Sequence, residues 1–150
     1  MNSIQLKQFV TADSITHSKF GDVLPADILL QVYPNADKFY IVNTKPSLHP
    51  GEHWTVVYMQ GNNNNLIEFW DSLGQDPVTY NNYFKHFFRD KEYIYSNRIL
   101  QGEAQTCGYF CLYYAYHRSR AYTMNDIVNS FTNDKACNDI LVRDFVHRCL

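Results

Sequence analysis

Four consecutive asparagines, Asn62 to Asn65, follow Gly61 and interrupt the most strand-like stretch of the chain. Gly and Asn tolerate positive φ, so the patch reads as a hairpin turn. Its arms cover about His53–Gln60 and Leu66–Asp71. A turn there pairs the arms antiparallel and brings their outer ends, His53 and Asp71, to the same edge of a sheet. Side chains at such positions are within reach of one another.

The remaining elements follow from spacing. A strand is expected over Phe39–Thr44, ahead of the loop Lys45–Gly51, and another over Glu92–Ile99. Pro25 to Leu30 reads as a short helix with proline in its first turn. Tyr80, Tyr83, Phe84, Phe87 and Phe88 form a helical apolar stripe, and Cys107, Phe110, Cys111, Tyr114 and Ala115 form a second. Thr123 and Asp126 are spaced as a capping box, opening a helix to about Phe131. Ala136, Cys137, Ile140, Leu141 and Phe145 mark a final amphipathic helix. Strands grouped ahead of helices predict an α+β domain with a mostly antiparallel central sheet. No linker, repeat or composition break divides residues 1–150, so a single domain is expected. With 45% apolar and 19% charged residues, the chain can build a core and is not disordered.

Charge and cysteine usage narrow the function classes. A formal charge of −2 gives no strong pull toward nucleic acid or an anionic membrane. The N-terminal residues lack the apolar core of a secretory signal, and the longest aromatic-apolar run, Tyr109 to Tyr116, is too short to cross a bilayer. A soluble intracellular protein is expected, with its four cysteines reduced. Cys107 and Cys111 lie four apart on one predicted helix, a poor geometry for bridging each other. His117, Cys137, His147 and Cys149 lack the spacing of a zinc site, so no metal is expected.

The segment from Gln101 to Cys111 carries the chemistry. Cys107 stands where a loop enters a helix, and unpaired amides and the helix dipole favour a thiolate there. Gly108 has no Cβ, which permits close approach of a substrate. An imidazole must take the thiol proton and later protonate a leaving amine. His53 is suited to this, and Asp71 is placed by the hairpin to hold its ring in one tautomer. Gln101 offers a side-chain N–H to a tetrahedral oxyanion, beside the backbone N–H of Cys107. Gln105 is a rival donor, but only two residues from Cys107 it reads as a turn residue. Cys111, one turn further along the apolar stripe, reads as core, as do the aromatics of Tyr80–Phe88.

The order His53, Asp71, Gln101, Cys107 resembles that of the adenovirus-type processing proteases, the adenain family. It is closest in style to the maturation proteases of Maverick/Polinton elements and small DNA viruses. The resemblance runs through Phe20–Asp27, Ile41–Ser47, Pro50–Trp54, Glu68–Gly74 and Gln101–Cys111, within about residues 20 to 131. It implies a papain-like site reached by a permuted chain order. Cys107 would be the nucleophile, His53 the base, Asp71 the orienting acid and Gln101 the oxyanion donor, with Trp54, Gly108 and Glu52 contacting substrate. Asp71 stands where adenovirus enzymes commonly have Glu.

The resemblance further implies a cysteine endopeptidase that cleaves virion precursor proteins at Gly-containing sites during maturation. Such an enzyme would be a monomer in host cytoplasm or nucleus, or packaged in the virion. It needs no cofactor, though the family leaves room for an activating viral peptide. The stretch Phe87–Ile99 holds no cysteine, so covalent activation through a disulfide is not expected, and the net charge argues against DNA stimulation. A ubiquitin-like (SUMO-type) deconjugating protease shares the same elements but usually carries an extra Trp upstream of the histidine. The only Trp residues here are Trp54 and Trp70. An inactive binding module on the same fold is the alternative from another class.

Overall fold

The computed structural model describes residues 1–32, 37–61, 66–102 and 105–150. Two helices open the chain, α1 (Ser3–Ala12) and α2 (Ser14–Ser18), and neither is announced by the apolar spacing that marks the later ones. Asn2 and Gln5 form a reciprocal capping box at the start of α1. Strand β1 (Phe20–Leu24) and a 3-10 helix (Ala26–Gln31) lead to β2 (Lys38–Asn43). The hairpin arms are β3 (Trp54–Met59) and β4 (Ile67–Trp70), while residues 62–65, expected to form its turn, lie outside the described residues. A 3-10 turn (Pro77–Thr79), α3 (Asn82–Phe88) and the short β5 (Tyr93–Tyr95) follow. Helices α4 (Cys107–Arg118), α5 (Met124–Asn129) and α6 (Lys135–Cys149) end the chain.

The five strands lie in sequence order β1-β2-β3-β4-β5. Pairing is antiparallel for β2-β3 and β3-β4, and parallel for β1-β2 and β4-β5. The expected mostly antiparallel sheet is thus antiparallel at its centre and parallel at both edges. Each edge connection contains a helical segment, which allows the chain to cross over and re-enter in the same direction.

Alternation along the strands splits the core in two. Phe39, Ile41, Val56, Tyr58 and Trp70 face α1, α4, α5 and α6. Val42, Val57, Met59, Ile67 and Phe69 face the first 3-10 helix and α3 through Leu29, Phe84 and Phe88. Both faces are covered, so the central strands read as near-continuous apolar runs. Glu68 puts a charge into β4. Its carboxylate is buried and takes hydrogen bonds from Tyr114 at 2.6 Å and from the Arg118 guanidinium at 2.8–3.3 Å, which satisfies its charge.

The capping box of Thr123 and Asp126 forms as expected. The phase of the last helix differs from expectation. Asn138, Asp139, Val142 and Val146 are buried, while Ala136, Cys137 and Ile140 are exposed. Polar Asn138 and Asp139 turn inward because they have hydrogen-bond partners there, a condition hydropathy does not register. No helix among the described residues is long and apolar enough to cross a membrane.

The turn after β4 ties fold to site. Gly74 has φ +69°, and a Cβ there would stand 2.5 Å from the carbonyl carbon of Arg98. Its N–H closes the turn onto the Asp71 carbonyl at 2.9 Å. Gly74→Ala is expected to lower unfolding free energy by at least about 1–2 kcal/mol, the usual cost of a left-handed L-residue. Urea denaturation of the two proteins checks this.

Candidate active site

Three elements converge on one site: the start of β3, the turn after β4 and the N-terminus of α4. The β3-β4 register pairs Val56 with Trp70, so the ladder ends just before His53 and Asp71. The two side chains meet diagonally across that open end, with His53 Nε2 2.6 Å from Asp71 Oδ1. Asp71 has no exposed surface. Its Oδ1 also accepts the Leu73 N–H at 3.0 Å, and its Oδ2 accepts the Gln75 N–H at 3.1 Å and the Tyr80 hydroxyl. Four donors saturate the buried carboxylate, so it is held in one orientation.

Engaging Nε2 with Asp71 leaves Nδ1 as the ring nitrogen for the thiol. His53 and the Cys107 side chain form a hydrogen-bonding pair. Burial works against a charged imidazole, but Asp71 and then Cys107 outweigh it, raising the His53 pKa from 6.5 to about 9. Burial likewise works against a thiolate at Cys107. The His53 ring and the backbone N–H groups of Trp54 and Gly108 reverse that, lowering the thiol below its ordinary value. Cys111 is fully buried one turn on, and desolvation pushes its thiol well up. All four cysteines are free thiols. Only Cys107 combines a lowered pKa with a position on the cleft.

Gln101 arrives through the segment that follows β5. Ser96 pairs with Asp71 in both directions, its hydroxyl accepting the Asp71 N–H at 3.1 Å and donating to the Asp71 carbonyl at 2.8 Å. Leu100 and Gln101 then donate their N–H groups to the Ser72 carbonyl at 2.8 and 3.1 Å. The Ser72 hydroxyl donates to Gln101 Oε1 at 2.6 Å. This fixes the oxygen end of the amide on Ser72.

The cleft has a volume of about 710 Å³ and is lined by His53, Cys107, Gln101 and Gln105, with Trp54 and Glu52 on its wall. His53, Gln101 and Cys107 therefore line one space, and Asp71 stands buried behind His53. Trp54 is half-buried, and its indole N–H donates to the Met1 carbonyl at 2.9 Å, so residues 1–3 form part of that wall. Glu52 is exposed and pairs with Lys45 at 3.1 Å. Gly108 is buried beside this wall, and a Cβ there would meet Met1 at 3.1 Å and Leu6 at 3.5 Å.

Residues that spacing did not single out support the quartet. Tyr80 reads in the sequence as one member of an aromatic stripe. In the fold it precedes α3, its hydroxyl bonds Asp71, and its ring lies 6.1 Å from the His53 ring at 29°. Ser72 and Ser96 are equally unmarked, since a serine beside a turn has many ordinary uses. Only the proximity of Ser72 to Asp71 hints at a role.

No protein family model and no curated protein sequence matches the chain. Solved structures do. The fold is similar to that of the ASFV pS273R protease, with a TM-score of 0.61 at 14% identity over 94% of this chain and 65% of that one. It is also similar to the central domain of the uncharacterized protein Lpg1148 from Legionella pneumophila, with a TM-score of 0.50 at 14% identity over 92% of this chain and 97% of that domain. At these identities the likeness is one of fold. An α+β arrangement, with a five-stranded sheet packed between helices, is shared with a protease, and this chain spans less than two thirds of that protease's length.

The pair of shifts sets a pH window. The imidazolium–thiolate form exists above the lowered Cys107 value and below about pH 9, where His53 gives up its proton. Iodoacetamide alkylation of Cys107 should therefore persist below the ordinary thiol range. Asp71→Asn removes the largest influence favouring the imidazolium and should move that alkylation midpoint upward in pH. The stability that Asp71 lends through His53 has the matching sign. It is fully present below the ordinary imidazole value of 6.5 and is lost as pH rises through about 9.

Proposed function

We propose that this chain is a cysteine peptidase that hydrolyses peptide bonds of protein substrates. One observation carries the reading: a cleft-lining thiol with a lowered pKa, bonded to an imidazole whose other nitrogen is held by a saturated buried carboxylate. Structural cysteines do not need this arrangement, and an inactive binding module would have no reason to keep it.

The chemistry follows from the positions. The Cys107 thiolate attacks the scissile carbonyl carbon, and the carbonyl π electrons move onto oxygen. The Cys107 backbone N–H at the head of α4 and the Gln101 amide stabilise that oxyanion. Collapse breaks the C–N bond, and the His53 imidazolium gives its proton to the departing amine, leaving a thioester. Neutral His53 then deprotonates a water that attacks the thioester, and the thiolate is regenerated with His53 protonated again. Asp71 accepts a hydrogen bond throughout and keeps the ring in the tautomer that serves Cys107.

The substrate class is proposed from the resemblance in residue order together with the fold likeness to a viral-named protease. Cleavage of virion precursors at Gly-containing sites is the reading these favour. A panel of fluorogenic peptides with Gly at the cleaved bond, set against the tail of a folded ubiquitin-like protein, tests it. Peptide cleavage is expected, abolished in Cys107→Ala and retained in Cys111→Ala. Gln101→Ala should cost about 10²–10³ in kcat, the usual effect of losing one oxyanion donor. Strong preference for the folded ubiquitin-like tail would favour a deconjugating protease instead, and no hydrolysis of either would sink the peptidase reading.

A further inference from the structure

We infer that Asp139, on the last helix, is a positioning residue that holds Gly102 and Thr106, the neighbours of Gln101 and Cys107, in place; this rests on the peptidase reading above. The loop has two functional ends. Gln101 closes one and Cys107 the other, and Gly102 and Thr106 are the loop residues adjoining them. Asp139 bonds both. Its carboxylate accepts the Gly102 N–H at 3.2 Å through each oxygen, and its Oδ1 accepts the Thr106 hydroxyl at 2.7 Å. The neighbouring Asn138 reinforces the hold, donating from Nδ2 to the Leu100 carbonyl at 3.1 Å.

Asp139 is 5% exposed and forms no ion pair among the described residues. A buried carboxylate is unfavourable unless its oxygens are satisfied. Here the donors identified are the two ends of one loop. The backbone is built to receive it: a Cβ on Gly102 would stand 2.5 Å from Asp139 Oδ2, so only glycine allows this approach.

The Thr106 bond has a second consequence. Thr106 is the N-cap residue of α4, and a threonine there ordinarily turns its hydroxyl onto an amide of the first helical turn. Thr106 makes no such capping bond, and its hydroxyl donates to Asp139 instead. The amides at the head of α4 are thereby kept for negative charge at the sulfur and the reacting oxygen. The Gly108 N–H already contributes to lowering the Cys107 thiol. Asp139 thus acts at a distance from the reacting atoms, through Thr106 and Gly102.

The sign of its effect separates this role from simple charge. A carboxylate acting by its field would disfavour the thiolate, and removing it would make Cys107 more acidic. A carboxylate acting as a tether does the reverse. The test uses the wild-type chain, Asp139→Ala, Thr106→Val, Thr106→Ser and the Asp139→Ala/Thr106→Val pair, each checked for folding by thermal melt. Iodoacetamide rates at Cys107 are measured against pH, and kcat and KM on a Gly-containing fluorogenic peptide. Asp139→Ala and Thr106→Val should each shift the alkylation midpoint to higher pH and lower kcat roughly tenfold, about one lost hydrogen bond in the transition state, with KM changed less than about twofold. The pair should be no worse than Asp139→Ala alone, because both remove one interaction. Thr106→Ser should recover most of what Thr106→Val loses. A folded Asp139→Ala protein with wild-type alkylation and kcat, or with a midpoint moved to lower pH, overturns the inference. If Asp139→Ala does not fold, Thr106→Val decides in the same way. A wild-type Cys107 that titrates as an ordinary thiol would instead sink the peptidase reading, and this inference with it.

Discussion

A carboxylate with no exposed surface must find its partners inside the protein, and Asp71 finds four of them. That requirement organises this end of the molecule. Two partners are backbone N–H groups of the turn after β4, which must therefore wrap around the carboxylate. The third is the hydroxyl of Tyr80, which fixes where the chain stands before it enters α3. The fourth is His53, and through His53 the carboxylate reaches the thiol. Leave any of the four donors out, and a buried charge is left partly unsatisfied.

The sheet supplies the frame in which this can happen. Both of its faces are covered by helices, so the open ends of its strands are where polar side chains can gather. Segment 96–101 continues past β5 along Asp71 and Ser72, bonded to both. That short extension carries Gln101 to the cleft, and the chain then turns into α4 with Cys107 at its head. The last helix closes the arrangement from behind, with Asn138 and Asp139 facing inward onto the same loop. Site and core are thus built from one set of hydrogen bonds. The likeness to a protease at 14% identity is one of fold alone.

The helices α3 and α4 were legible because their apolar residues recur at helical spacing and their buried faces are nearly pure hydrocarbon and aromatic, and α5 because Thr123 and Asp126 are spaced as a capping box. The last helix was legible as a helix but not in phase, since Asn138 and Asp139 bury polar groups that spacing assigns to solvent. The N-terminal helices were missed. In α1 only Leu6, Phe9 and Val10 are buried, too few to stand out as a stripe, and α2 buries only Thr16. The edge strands were also weak signals, for β5 has three residues and β1 owes its direction to the crossover that follows it.

The sequence by itself determined the chemical parts and their order: a thiol at the head of a helix, an imidazole and a carboxylate at the two outer ends of one hairpin, and an amide six residues before the thiol. Local physics is enough for that, because hairpin pairing and helix starts are short-range events. Only the tertiary structure decided that Tyr80, Ser72, Ser96 and Asp139 hold those parts, and that the open side of Gly108 faces Met1 and Leu6. These are contacts between segments far apart in the chain. Each depends on how buried polar groups are satisfied once the core has formed, and no periodicity along the chain encodes that.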